Sequence, residues 1–126
     1  MQKYLKRGND SHQVFLRVQS HMMDLADAHI DQVTLTSFYK HIKACEDKET
    51  KKMLTILAQL YALDCIYANR GWYLENDYMD GSKSKAIRRN ITKLYQEIKP
   101  NAIALVDSFA IPSELIVAPI AMKEWS

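Results

Sequence analysis

Glycine and proline, the residues that most often punctuate a chain, are scarce here: three of each in 126 residues. That scarcity disfavours a turn-rich all-β fold and suits long helices. The length fits one domain, with enough chain to bury roughly two thirds of its unfolded surface. A hydrophobic content of 48% and a charged content of 25% are those of an ordinary soluble globular protein. The net charge of +2 is too weak to point to nucleic acid.

Apolar spacing then divides the chain into helices. After a basic lead-in over 1–10, Ser11 caps a long helix that reaches about Cys45. Its apolar stripe is Phe15, Val18, Met22, Leu25, His29 and Val33, three or four residues apart. The β-branched cluster VTLTS (33–37) predicts a kink or break. CEDKET (45–50) reads as a turn, with Asp47 or Thr50 capping a second helix from about Lys51 to Asn69 or on to Leu74. Met53, Leu57, Leu60, Asp64 and Tyr67 share one face of it. ENDYMDGS (75–82) is expected to be a loop with Gly81 as its turn signal. A third helix over Lys83–Ile98 buries Ile87, Ile91, Leu94 and Ile98, widened by Tyr95, and turns Lys85, Arg88, Arg89 and Lys93 outward. Pro100 ends it, Asn101 caps a short fourth helix over about 102–110, and Pro112 closes that one. Ser113 is expected to cap a last apolar turn before the tail. The expectation is an all-α, antiparallel helical bundle of about four helices.

Few motifs carry chemistry. A di-metal bundle needs Glu three residues before His, and none of His12, His21, His29 and His41 has one. Cys45 and Cys65 form neither a CxxC nor a zinc spacing, and read as soft core residues in a reducing compartment. Four polar residues in apolar company stand out as structural candidates: His29, Asp64, Asn101 and Asp107. His29 is expected to be buried and hydrogen-bonded, since a polar ring in a core must find a partner. Asp64 is expected to pair with a cation such as Arg88 or Arg89. Asp107, in a stretch apolar nearly all round and near a helix C-terminus, is expected to be paired or capping, because an unpaired carboxylate there is costly. The basic face over 85–93 lacks a glycine-rich phosphate loop and reads as solvated, and RGWY (70–73) reads as packing. These residues outline no active site: catalytic none, cofactor-binding none, metal none. The start lacks the apolar region of a secretory signal, the end EWS is not a Ser-Lys-Leu address, and no apolar run approaches a membrane span.

Two blocks nonetheless resemble a known family. LYALDCIYANRGWYLENDYMDG (60–81) and IKPNAIALVDSFAIPSELIVAPIA (98–121), preceded by DAHIDQVTLTSFYKHI (27–42), are similar to the C-terminal helical region of the peroxisomal acyl-CoA oxidases. The most specific part is Pro-Asn-Ala-x-Ala-Leu-Val-Asp-x-Phe, and the likeness covers about 27–121. It implies a domain over 11–121 and a tail over 122–126. It implies a parent flavoprotein that uses FAD to convert an acyl-CoA to a trans-2-enoyl-CoA, releasing hydrogen peroxide, in fatty-acid β-oxidation. The family's flavin site and catalytic glutamate lie in other domains, and no residue here matches that glutamate. The chain is therefore expected to be a structural and dimerising piece, inactive alone, with no cofactor of its own. Its expected partners are the remaining oxidase domains or a full-length member, through an exposed apolar face that also suits a homo-oligomer or heteromer, with no nucleic acid and no membrane span. The resemblance implies a peroxisomal parent, and a cytoplasmic chain if expressed alone. The alternatives are a stand-alone helical module that docks on full-length oxidases, or a bundle binding a small molecule through His29 or Asp64.

Overall fold

In the computed structural model, residues 11–112, 115 and 116 are described, and among them there is no strand. Five α-helices follow in order: α1 (Ser11–Ala44), α2 (Lys48–Ala68), α3 (Arg70–Glu75), α4 (Gly81–Ile98) and α5 (Ala102–Asp107). A 3-10 turn over Lys99–Asn101 joins the last two. The chain is thus all-α, as its spacing predicts. The lead-in over 1–10, the Ser113 cap and the tail fall outside the described residues.

The helix ends follow local chemistry. Asp47 caps α2, its Oδ2 accepting from the Thr50 N–H at 2.7 Å; of the two residues proposed for that role, Asp47 holds it. Asp80 caps α4 in the same way, accepting from the Lys83 N–H at 2.7 Å and the Ser82 hydroxyl at 2.7 Å. Gly81 is consequently the first residue of α4 and not a turn residue. The turn belongs to Asp77, which sits at φ 58° in the left-handed region. Around it the Tyr78 N–H donates to the Tyr73 carbonyl at 3.0 Å and the Asp77 N–H to Leu74 at 3.4 Å. That pattern is a Schellman close, in which aspartate stands where glycine is more usual.

The expected kink or break at 33–37 does not take the form of a break: α1 runs unbroken through it. Thr36 donates its hydroxyl to the Gln32 carbonyl at 2.7 Å, which satisfies the polar β-branched side chain inside the helix. Pro100 behaves as expected and ends α4, within the 3-10 turn. Asn101 occupies the cap position of α5 but its side chain makes no capping bond. The fourth predicted helix is shorter than 102–110, ending at Asp107, and Ala110 follows at φ 49°.

α2 is the centre of the packing, with α1 on one side and α4 on the other. α1 has 34 residues and α2 has 21, so α1 is about 20 Å longer at 1.5 Å per residue. Its C-terminal half meets α2 through Asp31, Thr34, Leu35, Phe38 and Ile42, the half-buried positions of this part of the helix, continued by Cys45 just beyond its end. Phe38 packs against Tyr61, ring centroids 6.2 Å apart. On α4 the inward face is Ser84, Ile87, Ile91, Leu94 and Ile98, as predicted apart from Tyr95, which is exposed. The buried apolar core is small: among the described residues it is Val14, Ile56, Met79 and Ile91.

Candidate functional site

The stripe predicted as the core of α1 is not its packed face. Phe15, Met22, Leu25, His29 and Val33 are exposed, and Val18 is half-buried. At about 100° per residue, the stripe lies about 180° from the Asp31–Cys45 face that meets α2. α1 therefore carries two opposed apolar faces, one packed and one bare. Leu25 is 73% exposed and Val33 55%. A second group of bare apolar side chains follows Pro100, where Ile103 is 80% exposed and Val106 and Phe109 are also exposed. Contiguous apolar surface of this kind marks an interaction face.

The four polar candidates do not converge. His29 is exposed on α1, contrary to the buried, hydrogen-bonded ring expected. Asp64 is exposed on the solvent side of α2, because α1 and α4 take up flanks that leave its position open; it is not paired with Arg88 or Arg89. Asp107 is exposed too, and among the described residues its carboxylate has no hydrogen-bonding partner, unlike the paired or capping carboxylate expected there. Among the described residues, no three His, Cys, Asp or Glu side chains gather as metal ligands would. No helix among them is long and apolar enough to cross a membrane.

The polar tie between helices lies elsewhere. The Tyr61 hydroxyl donates to Asp31 Oδ1 at 2.7 Å, joining α2 to α1. The carboxylate at its hydroxyl holds the Tyr61 phenol protonated, raising its pKa above the ordinary 10.0. Nearby, burial raises the Cys65 thiol, with Asp31 adding to the effect. A thiol so held is a poor nucleophile. Both cysteines are free. A sequence reading could have found the tie only by knowing which face of α1 meets α2.

One half-open depression is shaped by three elements. A cavity of about 410 Å³ opens between the end of α2, the Asp77 turn and the first turns of α4. Ile66, Met79, Ala86 and Ile87 give it an apolar lining, and Tyr73 and Tyr78 form a wall. Lys83 and Asn90 are its polar groups on α4. RGWY, read as packing, stays largely exposed and makes local contacts: Trp72, 56% exposed, stacks on Tyr78 at 5.3 Å and meets Tyr73 edge-on, while the Arg70 guanidinium lies 4.4 Å from the Tyr67 ring. Gly71 and Gly81 hold nothing close, for a Cβ on either would meet no atom within 4 Å.

Comparison with known proteins gives a consistent picture. The acyl-CoA oxidase family pattern matches residues 1–124. The chain is 37% identical over 107 residues to acyl-coenzyme A oxidase 2, peroxisomal, of Arabidopsis thaliana, covering 85% of this chain and 16% of that protein. It is 32% identical over 99 residues to the acyl-coenzyme A oxidase-like protein of Mus musculus, covering 79% and 16%. With peroxisomal acyl-coenzyme A oxidase 1 of Cavia porcellus it shares 34% over 83 residues, 66% of this chain and 13% of the other. The chain thus spans about a sixth of the length of these relatives.

Proposed function

Since the chain belongs to the acyl-CoA oxidase family, we propose that it is the C-terminal helical domain of such an oxidase, with a structural and dimerising role. The observation that carries this reading is the bare apolar stripe of α1, opposite the face that packs on α2. A helix apolar on two opposed sides is stable when both are covered. Here α2 covers one, and the remaining oxidase domains or a second protomer cover the other. The parent reaction is FAD-dependent oxidation of an acyl-CoA to a trans-2-enoyl-CoA with release of hydrogen peroxide. The parent compartment is the peroxisome, in keeping with the names of the relatives.

The described residues do not themselves fit FAD. A dinucleotide's phosphates are cradled by close backbone N–H groups on a glycine-rich turn. Gly71 and Gly81 instead face open space, and the cavity on α4 offers one ammonium and one amide among its described lining. No step of the flavin chemistry is assigned to this chain. The domain acts by excluding water from surfaces it covers and by fixing the arrangement of its neighbours.

The test uses the 126-residue chain and a family oxidase from which the matching helical region has been removed. The chain associates with the trimmed oxidase, and Leu25→Asp with Val33→Asp abolishes the association while leaving the helical circular dichroism intact. No association, or association indifferent to those changes, overturns the proposal. Equal binding to an intact oxidase favours the stand-alone docking module. The isolated chain is colourless and takes up no oxygen with any acyl-CoA; stoichiometric bound flavin would refute the structural role.

A further inference from the structure

The cavity beside α4 has a chemistry that the docking role of α1 does not use. Lys83, Ala86, Ile87 and Asn90 line it at spacings of three, four and seven, so one seam of α4 supplies a donor, two apolar residues and an amide in turn. Across from this seam stand Ile66 of α2 and the buried Met79. Its volume of about 410 Å³ lies within the roughly 300–1,000 Å³ of small-molecule sites. Such sites pair a mostly apolar lining with a few placed polar groups.

The polar groups select the ligand. Among the described lining residues, Lys83 is the one charged group, and an ammonium donates hydrogen bonds but accepts none. The Asn90 amide adds donors. A neighbouring depression of about 380 Å³ shares Tyr78, Met79 and Lys83 and includes Asp77 and Asp80. Asp80 is engaged, its Oδ1 accepting from Ser82 and from the Lys83 N–H, and these bonds hold its carboxyl below the usual range. We propose that the cavity binds a small monocarboxylate with an aryl or branched-alkyl body. The carboxylate meets Lys83, and the body lies against Met79 and Ile87. This site is independent of the α1 face and of any family role.

Amide NMR titration of the full chain with phenylbutyrate, phenylbutanol and phenylbutylamine tests it. Phenylbutyrate shifts resonances of Ile66, Met79 and Ile87 and binds at least about threefold more tightly than the alcohol, a modest charge-assisted bond at a half-open site. The amine binds most weakly. Lys83→Gln removes the preference for acid over alcohol; Lys83 is exposed, so the melting temperature stays where it was. Equal binding of acid and alcohol to the unaltered chain, tightest binding of the amine through Asp77, shifts confined to other residues, or no binding by any of the three overturns the proposal.

Discussion

Ile91 and Leu25 are both apolar, both mid-helix and both on stripes legible in the sequence, yet only Ile91 is buried. Ile91 is 8% exposed. Truncating it to alanine removes three carbons worth about 0.8 kcal/mol each when buried. The cavity left behind adds to the loss, for a total of about 3 kcal/mol, inside the roughly 2–5 kcal/mol range of such changes. In a chain of this size that is a fall in Tm of about 10 °C. Leu25, at 73% exposed, keeps roughly a quarter of its side chain covered, and Leu25→Ala costs under about 0.5 kcal/mol. Urea unfolding followed by far-UV circular dichroism measures both, with the slope unchanged in each variant so that the midpoints report stability alone. If Leu25→Ala costs as much as Ile91→Ala, the α1 stripe is covered within the isolated chain and the argument for a bare face fails. If Ile91→Ala is nearly neutral, α4 does not pack as described.

Other changes follow from the caps and the interhelical tie. The carboxyls of Asp47 and Asp80 are held below the ordinary 3.8 by the Thr50 hydroxyl and N–H in one case and the Lys83 N–H and Ser82 in the other. Their contribution is full above pH 3.8 and is lost as the pH falls through the lower native values, so acid unfolding begins below about pH 4; in Asp47→Ala with Asp80→Ala the Tm at neutral pH drops by several degrees and this part of the acid dependence vanishes. Tyr61→Phe and Asp31→Ala each remove the same bond, so their effects on Tm are non-additive and the double variant loses less than the sum of the two. Because the Tyr61 pKa is raised, its bond contributes fully below pH 10 and is lost as the pH rises through the native value; alkaline titration followed by circular dichroism shows a loss that Tyr61→Phe lacks. Ala110 holds a positive φ, a conformation costing roughly 1 kcal/mol for a residue with a Cβ, so Ala110→Gly leaves stability unchanged or raises it by up to about 1 kcal/mol in the same urea assay.

How far the sequence speaks depends on the residue. The inward face of α4 is readable because Ile87, Ile91, Leu94 and Ile98 are its only apolar stripe, set against Lys85, Arg88, Arg89 and Lys93. α1 is different. Its most regular apolar stripe, Phe15 to Val33, is the bare one, while the packed face mixes Asp31 and Thr34 with Leu35, Phe38 and Ile42. Spacing identifies a face; it does not say which of two faces a neighbour takes. The Asp77 turn escaped notice because aspartate replaces the expected glycine, and Gly81, which looked like the turn, starts a helix. The cavity follows from that turn, since only a tight close at Asp77 brings Tyr73 and Met79 against the Lys83–Asn90 seam.

The bare stripe also bears on energetics. Phe15, Met22, Leu25 and Val33 are exposed, and fully covering a side chain of this kind is worth roughly 1.5–3 kcal/mol. At 42–73% exposed, the four together stand to gain roughly 3–7 kcal/mol on full cover, against a stability of roughly 5–15 kcal/mol for a small domain. The buried core, by contrast, consists of Val14, Ile56, Met79 and Ile91 among the described residues. Cover of this stripe would thus add a sizeable fraction to the stability of the fold. Whatever covers α1 binds the folded form and not the unfolded one, and so raises apparent stability by mass action.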